Sequence, residues 1–399
     1  MITQLRFNNF FSFADETTVD FVVGKKPTSS GFDIPLEGQR LNKVIAVVGP
    51  NGSGKTQLIK PFAFLSWFVC DSFLQVDPDA DILYEPHQLH HDEDTHLEID
   101  FVLPDETGQL LEHRYQLVMK HRRVVSEALF AKTSAQFSYI FKREKTAEGF
   151  AFRQKGFPLP AAQAKNLRDN ASLLAAAFSF DVKEARPFIE YFRRVITNVT
   201  NKGRRRFQKN SVLLAAERYE KQLSIKTRMV EAVCEFDLGL SDIKIEKLEI
   251  TAEDGKTSSI FMPLGVHVNA EGKKFELPFY EESSGTQSAF VLLERLLTTL
   301  NQGGIAVIDE LDNELHPHLL PKILDWFRFE HTNPHQAQLI FTCHTPEILN
   351  RLQKHQVYLC EKLNQNSSGW RLDEVTGLRS DDNLYAKYMA GALGAVPEV

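Results

Sequence analysis

The chain contains a glycine-rich segment whose residue types and spacing suit it to bind phosphate. The segment follows the apolar run 44–48 and reads Gly49, Pro50, Asn51, Gly52, Ser53, Gly54, Lys55, Thr56. Glycines let the backbone turn tightly and point its N–H groups at phosphate oxygens, and the N-terminus of a following helix favours negative charge. In this pattern Lys55 reaches the β- and γ-phosphates of a nucleotide, and the Thr56 hydroxyl binds Mg²⁺. We therefore expect a phosphate-binding loop between a strand and a helix.

Two adjacent carboxylates, Asp309 and Glu310, end a second apolar run at 305–308. Ligands bind at the carboxyl ends of the strands in α/β sheets, so a parallel strand beside the phosphate-loop strand would bring both side chains to the phosphates. Asp309 is then placed to bind Mg²⁺, and Glu310 to orient or deprotonate an attacking water. The alternative is a strand that happens to end in acidic helix-capping residues.

Two further segments bring polar groups toward the same place. Ser284 and Gly285 precede the apolar run 289–300, which predicts a helix whose N-terminus suits a phosphate. His344 ends the apolar run that begins at Leu339, which predicts another buried strand.

Periodicity predicts the elements that must hold these residues in place. Apolar and polar residues alternate over 1–23, which predicts a hairpin, and an apolar helix should follow Thr56. Alternation over 97–152 predicts an antiparallel layer beside the nucleotide.

The second half of the chain changes pattern twice. From about 161 to 236 the spacing is helical, and the predicted helices include Val195 and Ile196; strands resume after Ile243. We divide the chain into an N-terminal lobe at 1–155, a helical insertion at 156–240 and a C-terminal lobe at 241–399.

A basic cluster lies within the helical region and comprises Arg193, Arg194, Lys202 and Arg204 to Arg206, with Lys209 close by. It could contact a nucleic-acid backbone or an acidic partner, or it could be a solvated loop between two helices. The second interpretation is favoured, because one short run neutralises few phosphates and the net charge of the chain is −7.

Composition limits the kind of protein and its surroundings. The 399 residues include four widely spaced cysteines, which predict neither a zinc ribbon nor a disulfide framework and fit a reducing cytoplasm. The sequence shows no signal peptide and no apolar run of the ~20 residues that a bilayer requires, so we expect no membrane contact.

The order of these segments resembles that of ABC-type ATPases. Residues 49–56 resemble the Walker A motif, 283–287 the signature, 305–310 Walker B and 311–315 the D-loop, and His344 resembles the switch histidine. Ser283 and Thr286 depart from the usual signature in the way of the SMC- and OLD-like branch. The resemblance implies an α/β P-loop NTPase of ABC-ATPase type: a mixed sheet with an antiparallel β layer and the helical insertion.

Within that branch the chain resembles the RloA/AbiL-type bacterial ATPases, whose relatives include the ATPase subunit of the PARIS anti-phage system. The segments that carry this resemblance are the opening 7–13, the turn Leu315-His316-Pro317 and the ending from Asp382 to Pro397.

The resemblance implies a dimer or higher homo-oligomer in which two subunits, arranged head to tail, enclose ATP and Mg²⁺. Ser284 and Gly285 of one subunit would complete the site around Lys55 of the other, and His344 would sense the γ-phosphate. Gln88 is the candidate for the glutamine that links the nucleotide and metal to the second lobe, although it also fits an ordinary loop residue.

The expected function is therefore ATP binding and hydrolysis by a sensor or regulator of phage defence (abortive infection), which controls a separate effector, a nuclease. A DNA-binding repair or recombination ATPase of the SMC/RecF-like type is a second hypothesis, and a nucleotide-gated scaffold with negligible turnover is a third. A catalytic base at Glu310 weighs against the scaffold.

Overall fold

The computed structural model describes residues 1–205, 208–236, 239–251, 257–314 and 319–396. Three features singled out in the sequence therefore lie outside the described residues, namely Arg206, the turn 315–317 and Pro397.

The N-terminal segment leads into the phosphate loop as expected. Its first two strands form the predicted hairpin, and the strand before the loop is buried along its whole length. A helix begins at Lys55 and continues through Pro61, which occupies its second turn. The elements are β1 (Ile2–Asn8), β2 (Thr17–Asp20), β3 (Val22–Val23), β4 (Asp33–Leu36), β5 (Gln39–Asn42), β6 (Val44–Val48) and α1 (Lys55–Gln75).

The predicted antiparallel layer is present. Within the described residues it is a seven-stranded sheet in the order β11, β10, β9, β8, β7, β1, β2, so the N-terminal hairpin completes it. Alternate side chains of its central strands face the core, in agreement with the period-two pattern. The new strands are β7 (Thr95–Pro104), β8 (Leu110–Lys120), β9 (Arg123–Ala131), β10 (Ser138–Thr146) and β11 (Gly149–Gln154).

The region expected to be entirely helical contains strands as well. Val195 and Ile196, predicted on a helix, lie in a strand that pairs in parallel with the strand ending at Ile308. A β-hairpin follows before the helices resume. The elements are α2 (Ala161–Lys165), α3 (Leu173–Ser179), α4 (Arg186–Phe192), β12 (Val195–Thr197), β13 (Val199–Thr200), β14 (Gly203–Arg204), α5 (Lys209–Lys221) and α6 (Leu223–Glu235).

A separate antiparallel sheet follows α6. Its central strand, β16, runs without interruption through Pro263. The three strands are β15 (Asp242–Thr251), β16 (Thr257–Val268) and β17 (Lys274–Pro278).

The rest of the chain completes the sheet that carries the phosphate loop. Its order is β12, β18, β19, β6, β20, β21, with β21 antiparallel to the others. The expectation that the strand of Asp309 and Glu310 lies beside β6 was wrong, because β19 lies between them. The remaining elements are α7 (Ser284–Gln302), β18 (Ile305–Ile308), α8 (Leu320–Arg328), β19 (Gln338–Thr342), β20 (Val357–Leu363), β21 (Asn366–Arg371) and α9 (Leu384–Met389).

This sheet separates two hydrophobic cores. Ile45 and Val47 of β6 pack into the core shared with α1 and the antiparallel layer, whereas Val44, Ala46 and Val48 pack into the core formed with α7 and α8. Burial on both faces explains the uninterrupted apolar runs before the phosphate loop and before Asp309. Among the described helices, none is long and apolar enough to span a bilayer.

Candidate active site

The phosphate loop connects the carboxyl end of β6 to the first turn of α1. Gly54 has a φ of 106°, which favours glycine, and a Cβ on Gly49 would lie 2.2 Å from the Cys360 carbonyl oxygen. Lys55 Nζ donates to the carbonyl oxygens of Gly49 and Pro50, at 2.8 and 3.0 Å. Burial lowers the pKa of Lys55, and nearby anionic groups oppose the shift only in part. The loop thus holds a cation between backbone carbonyls next to the N-terminus of α1.

Ser53 and the predicted metal ligands indicate how the loop fits a phosphate and Mg²⁺. Thr56 Oγ1 lies 2.9 Å from Asp309 Oδ2, which brings together a hydroxyl and a carboxylate of the kind that Mg²⁺ prefers. The Ser53 hydroxyl is buried and has no hydrogen-bond partner among the described residues. These groups suit an anionic ligand that brings its own oxygen atoms to a metal.

Asp309 is almost fully buried, with 2% of its surface exposed. Burial raises its pKa, while hydrogen bonds from Thr342 and Thr56 act in the opposite direction. Thr342 Oγ1 donates to Asp309 Oδ1 at 2.6 Å. A divalent cation would compensate the buried charge of Asp309 better than these hydroxyls do.

Asn198, which the sequence analysis missed, fixes the backbone of Asp309. Its side chain donates to the Asp309 carbonyl oxygen at 2.9 Å and accepts from the Asp309 N–H at 2.7 Å. Asn198 directly follows β12, whose carboxyl end lies beside that of β18. The only sequence signal for this contact was the short apolar run of β12, which was assigned to a helix.

Glu310 follows Asp309 in a left-handed backbone conformation with a φ of 52°. Its N–H donates to Thr342 Oγ1 at 2.8 Å, and its Oε2 accepts from Asn313 Nδ2 and Arg204 Nη1, both at 2.6 Å. Burial alone would raise the pKa of Glu310, but the hydrogen bond from Asn313 and the charges of Arg204 and His344 outweigh it and lower the pKa. The carboxylate is therefore held ionised.

His344, which the sequence analysis assigned to the same site, lies next to Glu310. Its Nε2 is 3.6 Å from Glu310 Oε1. The backbone N–H groups of His344 and Thr345 donate to Asp312 Oδ2 at 2.8 and 2.9 Å. Asp312 thus ties the turn that follows β19 to the turn that follows β18.

The basic cluster is divided between different environments. Arg204 lies in β14, and its guanidinium reaches into the site, where it contacts Glu310. The side chain of Arg205 is exposed, and Arg206 lies outside the described residues. Arg204 is thus a residue of the site rather than of a solvated loop.

A cleft of about 330 Å³ brings most of the predicted residues together. Gln57 and Lys362, which the sequence analysis did not single out, also line it. Gln57 is held by Ser12, whose hydroxyl lies 2.7 Å from that of Ser367, so the N-terminal loop and β21 border the phosphate loop. The lining residues are Asn51, Gly52, Ser53, Gly54, Lys55, Thr56, Gln57, Asp309, Glu310, His344 and Lys362.

The other predicted residues lie outside this lining. Ser284 and Gly285 are exposed in the first turn of α7, whose N-cap Ser283 accepts from the Thr286 N–H. Gln88 is exposed in the loop before β7. The cleft of one chain thus contains the phosphate loop, both carboxylates and His344, but not the signature residues.

The site lies within a recognised family region. Residues 44–350 match the family described as "AAA domain, putative AbiEii toxin, Type IV TA system". This range contains the phosphate loop and the residues Asp309, Glu310 and His344. No curated protein matches the chain.

Several solved structures of SMC heads are similar to the chain at low sequence identity. An SMC head bound to the C-winged helix domain of ScpA is 12% identical, with a TM-score of 0.48 over 94% of this chain and 99% of that one. The SMC head domain from Thermotoga maritima is 13% identical, with a TM-score of 0.38 over 93% and 98%. An Smc head domain with a coiled coil and joint from Pyrococcus yayanosii is 10% identical, with a TM-score of 0.46 over 98% and 99%.

Proposed function

The chain belongs to this AAA domain family, which makes it a nucleotide-binding protein of the P-loop type, and from that premise we propose that it is a Mg²⁺-dependent ATPase. The observation that carries the proposal is the contact between Thr56 and Asp309, with Glu310 next in the chain. This contact supports the proposal because it joins a candidate metal-binding pair, next to the phosphate loop and a candidate base, in the arrangement that phosphoryl transfer requires.

In this mechanism the residues of the cleft have distinct roles. Lys55 gives up its carbonyl contacts to bind phosphate oxygens, and Thr56 and Asp309 hold Mg²⁺. When bound, Mg²⁺ neutralises charge on the phosphates. Glu310 orients the attacking water and accepts its proton, and His344, next to Oε1 of Glu310, contacts the terminal phosphate.

The exposed position of Ser284 and Gly285 supports a site shared between subunits. The N-terminus of α7 offers backbone N–H groups and a positive helix end to an anion, yet these residues do not line the cleft of their own chain. We infer that a second copy, placed head to tail, brings this turn to the nucleotide. ATP would then be part of the interface and would control assembly.

The nucleotide-binding site is tested by direct measurement. The purified protein should bind ATP and release phosphate in the presence of Mg²⁺, and chelation of Mg²⁺ should stop the release. Lys55→Ala should lose ATP affinity. ATP hydrolysis that persists at the wild-type rate in Lys55→Ala would contradict the assignment.

For the biological role we propose a cytoplasmic sensor or regulator of phage defence that controls an effector, a nuclease on another chain. The family description names a type IV toxin–antitoxin system, and the resemblance to the RloA/AbiL and PARIS ATPases points the same way. Co-expression with the neighbouring genes should yield a complex with the effector. Recovery of the protein alone, together with phage protection that survives Lys55→Ala, would contradict this role.

The two other hypotheses have less support. A DNA-repair ATPase would need a basic surface, and one member of the basic cluster, Arg204, is engaged by Glu310 instead. If Arg205→Gln leaves the salt dependence of DNA affinity unchanged, Arg205 takes no part in DNA binding. A nucleotide-gated scaffold that does not hydrolyse ATP would not need a catalytic base at Glu310.

A further inference from the structure

Lys362 is a cation of the cleft to which the proposed mechanism gives no role. It lies near the end of β20, its side chain is exposed, and it lines the cleft together with the phosphate loop. Within the described part of the chain, no ion pair joins it to a carboxylate. The ammonium group of lysine is a point charge that suits a phosphate oxygen. Lys362 is therefore a candidate for contact with a ligand that brings its own negative charge.

The order of the strands puts Lys362 and the carboxylates on opposite sides of the phosphate loop. β6, which leads into the loop, has β19 and then β18 on one side and β20 on the other. Asp309 and His344 lie just beyond β18 and β19, so in the proposed mechanism the metal and the terminal phosphate are on that side. The cleft continues across the loop to β20, which leaves this second side for the rest of the nucleotide.

The hairpin that carries Lys362 is fixed against the phosphate loop. Ser367, which pairs with Lys362 across β20 and β21, donates its backbone N–H to the Ser12 carbonyl oxygen at 2.7 Å. A Cβ on Gly54 would lie 2.5 Å from the Ser367 hydroxyl oxygen, so the hairpin touches the loop itself. The backbone of Lys362 is thus held beside the phosphate loop by contacts that do not involve its own side chain.

The three phosphates of ATP differ in the cations that the proposed mechanism supplies. Lys55 and Mg²⁺ serve the β- and γ-phosphates. The α-phosphate, which is nearest the nucleoside, has no cation of its own. We infer that Lys362 is a further nucleotide-binding residue, which contacts the α-phosphate of ATP and of ADP from the β20 side of the loop. The inference rests on the proposed ATPase function.

Binding measurements on Lys362→Gln test this contact. We expect the Kd of ATP and the Kd of ADP to rise about tenfold each, because both ligands carry the α-phosphate and lose one charged hydrogen bond. Inorganic pyrophosphate fits the positions of the β- and γ-phosphates and has no nucleoside side. Its Kd should therefore change by less than about twofold, as for a group that does not touch the substituted residue.

Steady-state hydrolysis gives a second measurement. A contact with the α-phosphate is made alike in the ground state and in the transition state. Lys362→Gln should therefore raise KM for ATP by about tenfold and lower kcat by less than about twofold.

Two matched variants separate the charge of Lys362 from other effects. Lys362→Arg keeps the positive charge and should bind ATP and ADP with nearly the wild-type Kd. Lys25→Gln removes an exposed lysine that does not line the cleft, and it should change none of the three Kd values. Thermal melts show that each variant is folded.

The outcomes distinguish this inference from the ATPase proposal itself. A wild-type protein that binds neither ATP nor ADP contradicts both. ATP binding that is lost in Lys55→Ala but unchanged in Lys362→Gln contradicts the role of Lys362 alone. An equal loss of affinity for ATP, ADP and pyrophosphate in Lys362→Gln would also contradict it, because the lysine would then act at the β- and γ-phosphates.

Discussion

The Thr342 hydroxyl lies 2.6 Å from Asp309 Oδ1, to which it donates. The Thr342 hydroxyl oxygen in turn accepts a hydrogen bond from the backbone N–H of Glu310 at 2.8 Å. One hydroxyl at the end of β19 therefore fixes the side chain of the predicted metal ligand and the backbone of the predicted base. The strand that separates β18 from β6 thus joins the two halves of the site.

Thr342→Val keeps the shape of the side chain and removes the hydroxyl. Asp309 then loses a hydrogen bond that opposes the rise in its pKa, and the Glu310 N–H loses its acceptor. We expect hydrolysis to fall by about tenfold, in line with the loss of a net 1–2 kcal/mol. The acidic limb of the pH–rate profile for Mg²⁺-dependent hydrolysis should move to higher pH, because Asp309 becomes protonated more readily.

The matched control is Thr299→Val, since Thr299 is also buried but its hydroxyl bonds the Arg295 carbonyl oxygen within α7. Phosphate release and ATP affinity are measured for both variants. Equal activities in the two would show that the hydroxyl of Thr342 has no special part in the site.

Glu310→Gln should bind ATP and fail to hydrolyse it. Glutamine fills the same space and accepts a hydrogen bond, but it cannot take a proton from water, so we expect kcat to fall by about 10²- to 10⁴-fold. Binding of labelled ATP and rapid-quench phosphate release measure the two effects separately. Glu347→Gln, an exposed carboxylate just beyond β19, is the control. Turnover at the wild-type rate in Glu310→Gln would remove Glu310 as the base.

Sequence patterns predicted the parts of the fold that depend on local order. The apolar runs before Gly49 and before Asp309 gave the correct strands, and Ser284 begins the predicted helix. The order of strands in the sheet has no local signature, which is why β19 was not expected between β18 and β6. The three-residue strand β12 was missed because so short an apolar run also fits a helix.

The difference between local sequence and tertiary contact also explains which site residues were found. The spacing of residues in two sequence runs indicates phosphate and Mg²⁺ binding, and these runs contain Lys55, Thr56, Asp309 and Glu310. Asn198 acts only because β12 ends beside β18, so its role depends on tertiary contact. Arg204 was recognised as basic, but its carboxylate partner lies 106 positions away in the chain.

Lys60 is a buried lysine whose charge is costly to the fold. It is 4% exposed, its Nζ lies 3.5 Å from the centre of the Phe11 ring, and burial lowers its pKa to about 8. We expect Lys60→Met to raise the free energy of unfolding at neutral pH by about 1–3 kcal/mol, because the folded state no longer holds a poorly solvated ammonium group.

This gain should shrink as pH rises above about 8. The folded wild-type protein then releases the Lys60 proton before the unfolded chain does, so its own stability increases. Urea unfolding at neutral and alkaline pH measures the difference, with the exposed Lys25→Met as control. A loss of stability at neutral pH would mean that the contact with Phe11 outweighs the cost of burial.

A buried carboxylate, Glu127, pairs with Arg143 within the antiparallel layer and also joins that layer to α3. Arg143 Nη2 lies 2.6 Å from Glu127 Oε2, and both side chains are fully buried. Glu127 also accepts from the Tyr115 and Ser172 hydroxyls and from the Leu173 N–H at the start of α3. The Glu127 carboxylate therefore accepts hydrogen bonds from side chains of β8 and β10 and from the N-terminus of α3.

Glu127→Gln should lower the free energy of unfolding by about 3–5 kcal/mol, because it leaves Arg143 charged and buried without a counter-ion. Glu112→Gln is the matched control, since its pair with Lys132 is partly exposed and should contribute less than about 1 kcal/mol. Replacing both members, as in Glu127→Leu with Arg143→Met, removes the unpaired charge but still strips an acceptor from Tyr115, Ser172 and Leu173. The double variant should therefore recover only part of the loss in urea unfolding. Full recovery would show that the hydrogen bonds to Glu127 add little.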